Sequence, residues 1–188
     1  MLCACTVHRE AMPLSILEPP QRQLIEDACL RALRLEGDGL PLGESLAVLA
    51  EAAERASGLD CVASILVLDE DGLLRNGASP RLPRDYLEAI DRLRPDPAVG
   101  TCAAAAATGE VVFTPDFRAD DKWAELRHLP LALGFAGAWS QPIKSADGRV
   151  LGTFGTYFRQ CREPTPEERR TVEKLASAAS QLITAHKA

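Results

Sequence analysis

Leu24, Ala28, Ala32 and Leu35 recur at three- and four-residue steps, and Ile25, Cys29 and Leu33 trace a second apolar line beside them. This spacing predicts a helix that opens after Pro19-Pro20 and stops at Gly37-Asp38-Gly39. A second helix is expected over 41–57, with Leu42, Leu46, Leu49, Ala53 and Ala56 inward and Glu51, Glu54 and Arg55 outward. Gly58 suits its end. The period then changes. Residues 61–68, CVASILVL, form a continuous apolar run of strand length, DEDG turns the chain, and residues 73–78 return as a second strand. A short helix is predicted from Pro83 to the prolines at 95 and 97. Thr101 then suits the N-cap of an alanine-rich helix closed by Gly109, and residues 110–114 read as a brief strand. Residues 115–137 hold a turn and short helices, with Asp120 or Asp121 as cap.

Residues 138–158, AWSQPIKSADGRVLGTFGTYF, read as an antiparallel hairpin turned at Asp147-Gly148. On its second strand Leu151, Thr153, Gly155 and Tyr157 share one face, and Val150, Gly152, Phe154, Thr156 and Phe158 share the other. Both faces carry apolar groups, so the hairpin is expected between two layers, its glycines leaving room for close approach. Thr165-Pro166-Glu167-Glu168 then carries the signature of a helix start. Along that helix Val172, Leu175, Ala179, Leu182 and His186 make one stripe, widened by Ala176 and Ile183. Sheet-forming segments adjoin in sequence without repeated β-α-β spacing. The expected class is α+β rather than a parallel, doubly wound sheet.

Composition narrows the function. The 188 residues suffice for one domain over 19–188, with a helical extension at 19–40, a core at 41–188 and an irregular segment at 1–18. A net charge of −6 with no basic, aromatic-interleaved run argues against nucleic acid or an anionic membrane as partner. No apolar run is long enough to span a bilayer. The first residues lack a basic leader and a long apolar stretch, so a cytoplasmic protein with reduced thiols is expected. Its six cysteines, at 3, 5, 29, 61, 102 and 161, form no C-x-x-C pair, and the three histidines are scattered, which argues against a metal site.

Three stretches carry a resemblance. VGTCAAAAATGEVVFTPDF, DKWAELRHLPLALGFAGAWSQPI and DGRVLGTFGTYFRQCREPTPEE, in that order, resemble the glycine–alanine helix, the short-helix segment with its Trp-Ser-x-Pro-Ile strand, and the last strand of GAF domains. The resemblance extends from about Leu42 to Ile183. It implies a central antiparallel sheet with the terminal helices on one face and ligand-pocket helices and loops on the other. It also implies a sensory domain that binds a small molecule or reports redox state, signals through its terminal helices and acts on a partner protein. A thiol-based enzyme like free methionine-R-sulfoxide reductase, and a dimerisation module without ligand, are the alternatives.

The family position of the pocket selects Val99, Cys102, Asp116, Trp123, Trp139 and Tyr157 as residues expected around one cavity. Cys102 begins a helix whose dipole favours a thiolate, or it is simply a small residue in an alanine-rich element. The reductase branch places another cysteine between the aspartate strand and the last hairpin, yet residues 116–137 contain none. No Cys-His pair suggests a bilin, no Asn-Lys signature suggests a cyclic nucleotide, and His128 is the one core-region candidate for haem, so no cofactor is identified. Trp123, Trp139 and Tyr157 suit a pocket or an ordinary core; Asp116 suits a ligand amine or a turn cap. The two-sided apolar terminal helices predict a homodimer, because a sheet covers only one side of each.

Overall fold

The computed structural model describes residues 19–187. The segment 1–18 expected to be irregular lies outside them. Helix α1 (Pro19–Gly37) and helix α2 (Leu42–Ala56) are followed by strands β1 (Cys61–Leu68) and β2 (Leu74–Ala78). Then come α3 (Arg84–Ala89), α4 (Thr101–Thr108) and β3 (Val112–Thr114). A single 3-10 turn (Asp121–Trp123) and α5 (His128–Ala132) lead to β4 (Gly137–Lys144), β5 (Val150–Phe158) and α6 (Pro166–His186). The five strands form one antiparallel sheet in the order β2-β1-β5-β4-β3. The class is α+β, as the adjoining strand segments imply.

Period-2 alternation divides the central strands between two layers. Cys61, Ala63 and Ile65 of β1, Trp139 and Ile143 of β4, and Phe154 and Phe158 of β5 pack with α1, α2 and α6. Val62, Ala138 and Tyr157 face the other way, into an aromatic cluster with Tyr86, Phe117, Trp123 and Phe135. Helix α4 lies against β3, β4 and β5 on that second side, where Gly155 is required: a Cβ there would come within 2.8 Å of Cys102 Sγ.

Several local expectations change. The hairpin turn is longer than two residues: only Gly148 is left-handed, at φ +85°, while Ser145 N–H donates to Arg149 O at 2.9 Å. Gly100, not Thr101, caps α4. Glu54, expected outward, is 2% exposed. Its carboxylate accepts from Ala63 N–H at 2.9 Å because β2 pairs with β1 only from Ile65 onward. Arg81 completes the repair, donating to Cys61 O at 3.2 Å and approaching Glu54 Oε2 at 3.8 Å. Helix α6 begins with the capping box its sequence announces, Thr165 and Glu168 each bonding the other's backbone N–H.

The dimer argument from α6 also changes. Its stripe and the widening residues Ala176 and Ile183 are all buried within one chain, apart from His186, which is exposed. The physical reason is a third helix: α2 joins α1 and α6 in one layer, so α6 meets both the sheet and two helices. On α1, Ile25, Ala28 and Ala32 are buried, while Leu30 is 59% and Leu33 is 38% exposed. Among the described residues, no helix is long and apolar enough to cross a membrane.

Candidate functional site

Of the six residues expected around one cavity, Cys102, Trp123 and Tyr157 meet. With Leu66, Tyr86 and Ile90 they line a space of about 20 Å³ between α4 and the sheet. That volume has room for roughly one water. Val99 is half-buried beside it, packed on the cluster that contains Cys102. Asp116 stays out of it and caps a turn, accepting from Arg118 N–H at 2.9 Å. Trp139 corrects the expectation of one cavity. It points to the opposite face of the sheet, stacked 6.1 Å from Phe113, because its odd-numbered position on β4 pairs with Thr156 and not with Tyr157.

Around Trp123 the polar groups on the α4 side are satisfied by one another, while Thr153 Oγ1 on the same face is left unpaired. Trp123 Nε1 donates to Thr101 Oγ1 at 3.0 Å, Thr101 to Thr114 Oγ1 at 3.3 Å, and Thr114 to Asp120 Oδ2 at 2.7 Å. Each hydroxyl in this chain accepts one bond and donates the next, which strengthens both. Lys122 Nζ closes it on Asp120 at 2.8 Å. Burial alone would raise the Asp120 carboxyl, but the bonds from Lys122 and Thr114 outweigh it and hold it low. Thr101, expected as an N-cap, thus serves instead as the anchor for Trp123. Nearby, Tyr86 OH donates to Tyr157 OH at 3.0 Å, and burial pushes both phenols up. Ser64 and Ser79 hydroxyls bond each other at 2.8 Å.

Cys102 is not a poised thiolate. Burial pushes its thiol up, against the weaker lowering effect of Ser140, whose hydroxyl donates to Sγ at 3.5 Å. The expected lowering by the start of α4 is overridden because the thiol is sealed from water under that helix. His128 is exposed and therefore does not reach this space. Among the described residues, no cluster of three His, Cys, Asp or Glu side chains suits a metal.

A larger cavity lies on the other face. It measures about 170 Å³ and is enclosed by the first turns of α1 and α6, the end of α2 and the strand residues Trp139, Thr156 and Phe158. Its one sign in the sequence is that Trp139 and Thr156 put polar atoms on the face assigned to apolar helices.

Comparison with known proteins agrees with this architecture. A family model described as GAF domain matches residues 40–184, and the chain belongs to the GAF family. A methyl sulfide methyltransferase-associated sensor from Methanosarcina acetivorans is 34% identical over 178 residues. The match covers 90% of this chain but only 18% of that protein's length. The GAF domain from a phosphoenolpyruvate-protein phosphotransferase of Coxiella burnetii superposes with a TM-score of 0.71 at 16% identity, over 89% of this chain and 94% of its own. Free methionine-R-sulfoxide reductase from Neisseria meningitidis, solved in complex with its substrate, gives 0.65 at 16% identity, over 94% and 97%. At these identities the two structures show a shared fold.

Proposed function

We propose that this chain is the sensory part of a signalling system, taking a small molecule between α4 and the sheet and passing its occupancy to α1 and α6. The observation that carries this reading is the fastening of Trp123. Its indole covers the small space beside Cys102 and Tyr157, yet it stands on a single 3-10 turn. Beyond bonds within its own loop and its contact with Phe117, one side-chain bond to Thr101 and the backbone bond from Gly100 N–H to Lys122 O at 2.7 Å tie it to α4. Moving such a plug breaks no strand-to-strand hydrogen bond. Similarity to a protein named as a sensor supports the same role. Redox reporting and a reductase mechanism are less favoured, because Cys102 is held as a buried thiol and residues 116–137 supply no second cysteine. Output through a homodimer or a partner protein uses the exposed Leu30 and Leu33 of α1, since the apolar stripe of α6 is buried within the chain.

Native mass spectrometry of the protein as purified tests both halves. The expected result is an added small-molecule mass lost on denaturation, absent from Ala103→Leu, in which a larger side chain fills the space under Trp123, and carried by a dimer. An adduct that persists in Ala103→Leu would place the ligand elsewhere. A bare mass, with no stabilisation by any member of a metabolite library, would overturn ligand sensing.

A further inference from the structure

The cavity between the sheet and the three-helix layer is a second binding site, and the geometry points to a small ammonium-bearing molecule with an oxygen acceptor at its other end, of the amino-amide or amino-alcohol class. The inference does not depend on the α4-side reading. It starts from hydrogen-bond accounting. Among the described residues, four of the buried side-chain atoms without a partner belong to residues lining this one cavity: Trp139 Nε1, Thr156 Oγ1, Gln21 Oε1 and Glu167 Oε1. Trp139 is 1% and Thr156 is 2% exposed, so both depend on whatever fills the cavity for a partner. Orphaned polar atoms at such depth are costly, and a group of them around one space calls for an occupant.

The four atoms divide by element and by polarity. Trp139 and Thr156 are direct cross-strand partners on β4 and β5, so an N–H donor and a hydroxyl stand side by side on the floor. They call for an oxygen acceptor. Gln21 and Glu167, both half-buried, stand on the first turns of α1 and α6 at the rim, each presenting an acceptor. They call for N–H donors. Gln21 is fixed in this sense, since its amide nitrogen already donates to Ala56 O at 3.0 Å. The charge at the rim is also assigned. Arg162 grips Glu168 with bonds of 2.7 and 2.8 Å and leaves the neighbouring Glu167 oxygen to a different cation. Ala53, Ala56, Phe158 and Val172 give the wall its apolar part, with Ser57, Thr165 and Thr171 among the other lining residues. A molecule with an acceptor at one end and a cation at the other answers the floor donors and the rim acceptors together. An occupant would join the first turns of both terminal helices to the centre of the sheet.

The chain has two tryptophans, one on each face, so their indole N–H resonances report the two sites separately. Glycinamide serves as probe in a nitrogen-15 titration, with acetamide, which lacks the ammonium, as its control. The expected result is a saturable shift of the Trp139 resonance with Trp123 unmoved. Replacing glycinamide by acetamide, or Glu167 by glutamine (Glu167→Gln), should each weaken binding by about tenfold, the scale of one charge-assisted hydrogen bond. Glu167→Gln retains the capping box and is expected to fold as the wild type does. A Trp139 resonance that stays fixed marks a cavity holding water alone and overturns the proposal. So does an equal response to glycinamide and acetamide, or movement of Trp123 only.

Discussion

The two faces of the sheet solve the same packing problem with opposite results. On the α4 side, aromatic rings and hydroxyls close on one another until about 20 Å³ remains, and Trp123, Thr101, Thr114 and Asp120 satisfy each other in a chain. On the side of α1, α2 and α6, alanines and leucines make a conventional core, yet about 170 Å³ stays open with an indole N–H and a threonine hydroxyl unanswered on its floor. The face where the family resemblance puts the ligand is thus shut, and the face that resemblance assigns to the terminal helices is unfinished. Family position indicates where a ligand is expected; unpaired donors indicate where this chain has hydrogen-bonding capacity to spare.

The strongest test of that contrast is to cut an equal piece from each side. Phe154, toward the helices, and Phe117, toward Trp123, are both fully buried. Phe154→Ala should cost about 3–5 kcal/mol in urea unfolding, because the central strand cannot relax into the gap. Phe117→Ala should fall at or below the lower end of that range, since its loop can settle onto Trp123, 4.5 Å away. Equal losses would mean the α4 side is as rigid as the helical core, and the plug role of Trp123 would lose its basis.

A smaller effect is expected at the frayed end of β1. Glu54→Ala leaves Ala63 N–H buried and unanswered, at a cost of about 1–3 kcal/mol, whereas Glu54→Gln keeps an acceptor and should change little in the acid range. Burial pushes the Glu54 carboxyl up, more than the bond from Ala63 and the nearby Arg81 pull it down. With the folded value raised, the folded state holds this proton more tightly than the unfolded state. The resulting stability is complete below the ordinary glutamate value and is lost as pH rises through the folded one. Glu54→Gln should therefore gain on the wild type as pH rises out of the acid range. A difference that is flat with pH would show that the carboxylate is already compensated in full.

Much of the fold was legible because its signals are local. The capping box at Thr165, the stripe from Val172 to Leu182 and the alternation along β5 each specify an element within a few residues. The site was less legible because it depends on pairings that no local pattern encodes. Trp139 joined the expected pocket through its place in a family motif, although its parity relative to Tyr157 across the β4–β5 ladder puts it on the other face. Glu54 read as a solvated helix charge because its role depends on where β2 stops pairing. The dimer was expected from apolar lines on two helices, and the burial of the α6 line against α2 and the sheet was not legible in them. Segments adjacent in sequence were read well, and contacts across the sheet were not.

The gentlest probe of the two faces uses their cysteines, which lie one on each side. Cys61 lines the helix-side cavity, and burial pushes its thiol up to about 11. Cys102 lines the closed space under α4, and its thiol is raised too. Neither holds much thiolate near neutrality, so access should decide their order of reaction. Among the described cysteines, the exposed Cys161 should be alkylated first and the half-buried Cys29 next. Cys61 should follow through its open cavity, with Cys102 last. Cys102→Ser should cost about 1 kcal/mol, the loss of a small apolar contact. Peptide mapping over a time course of alkylation, and separately after mild peroxide, reads the order directly. Cys102 ahead of Cys61 under alkylation would mean that the α4 face opens more readily than the helical face, reversing the comparison. Cys102 ahead of Cys161 under peroxide would restore the redox-sensor reading that its burial now opposes.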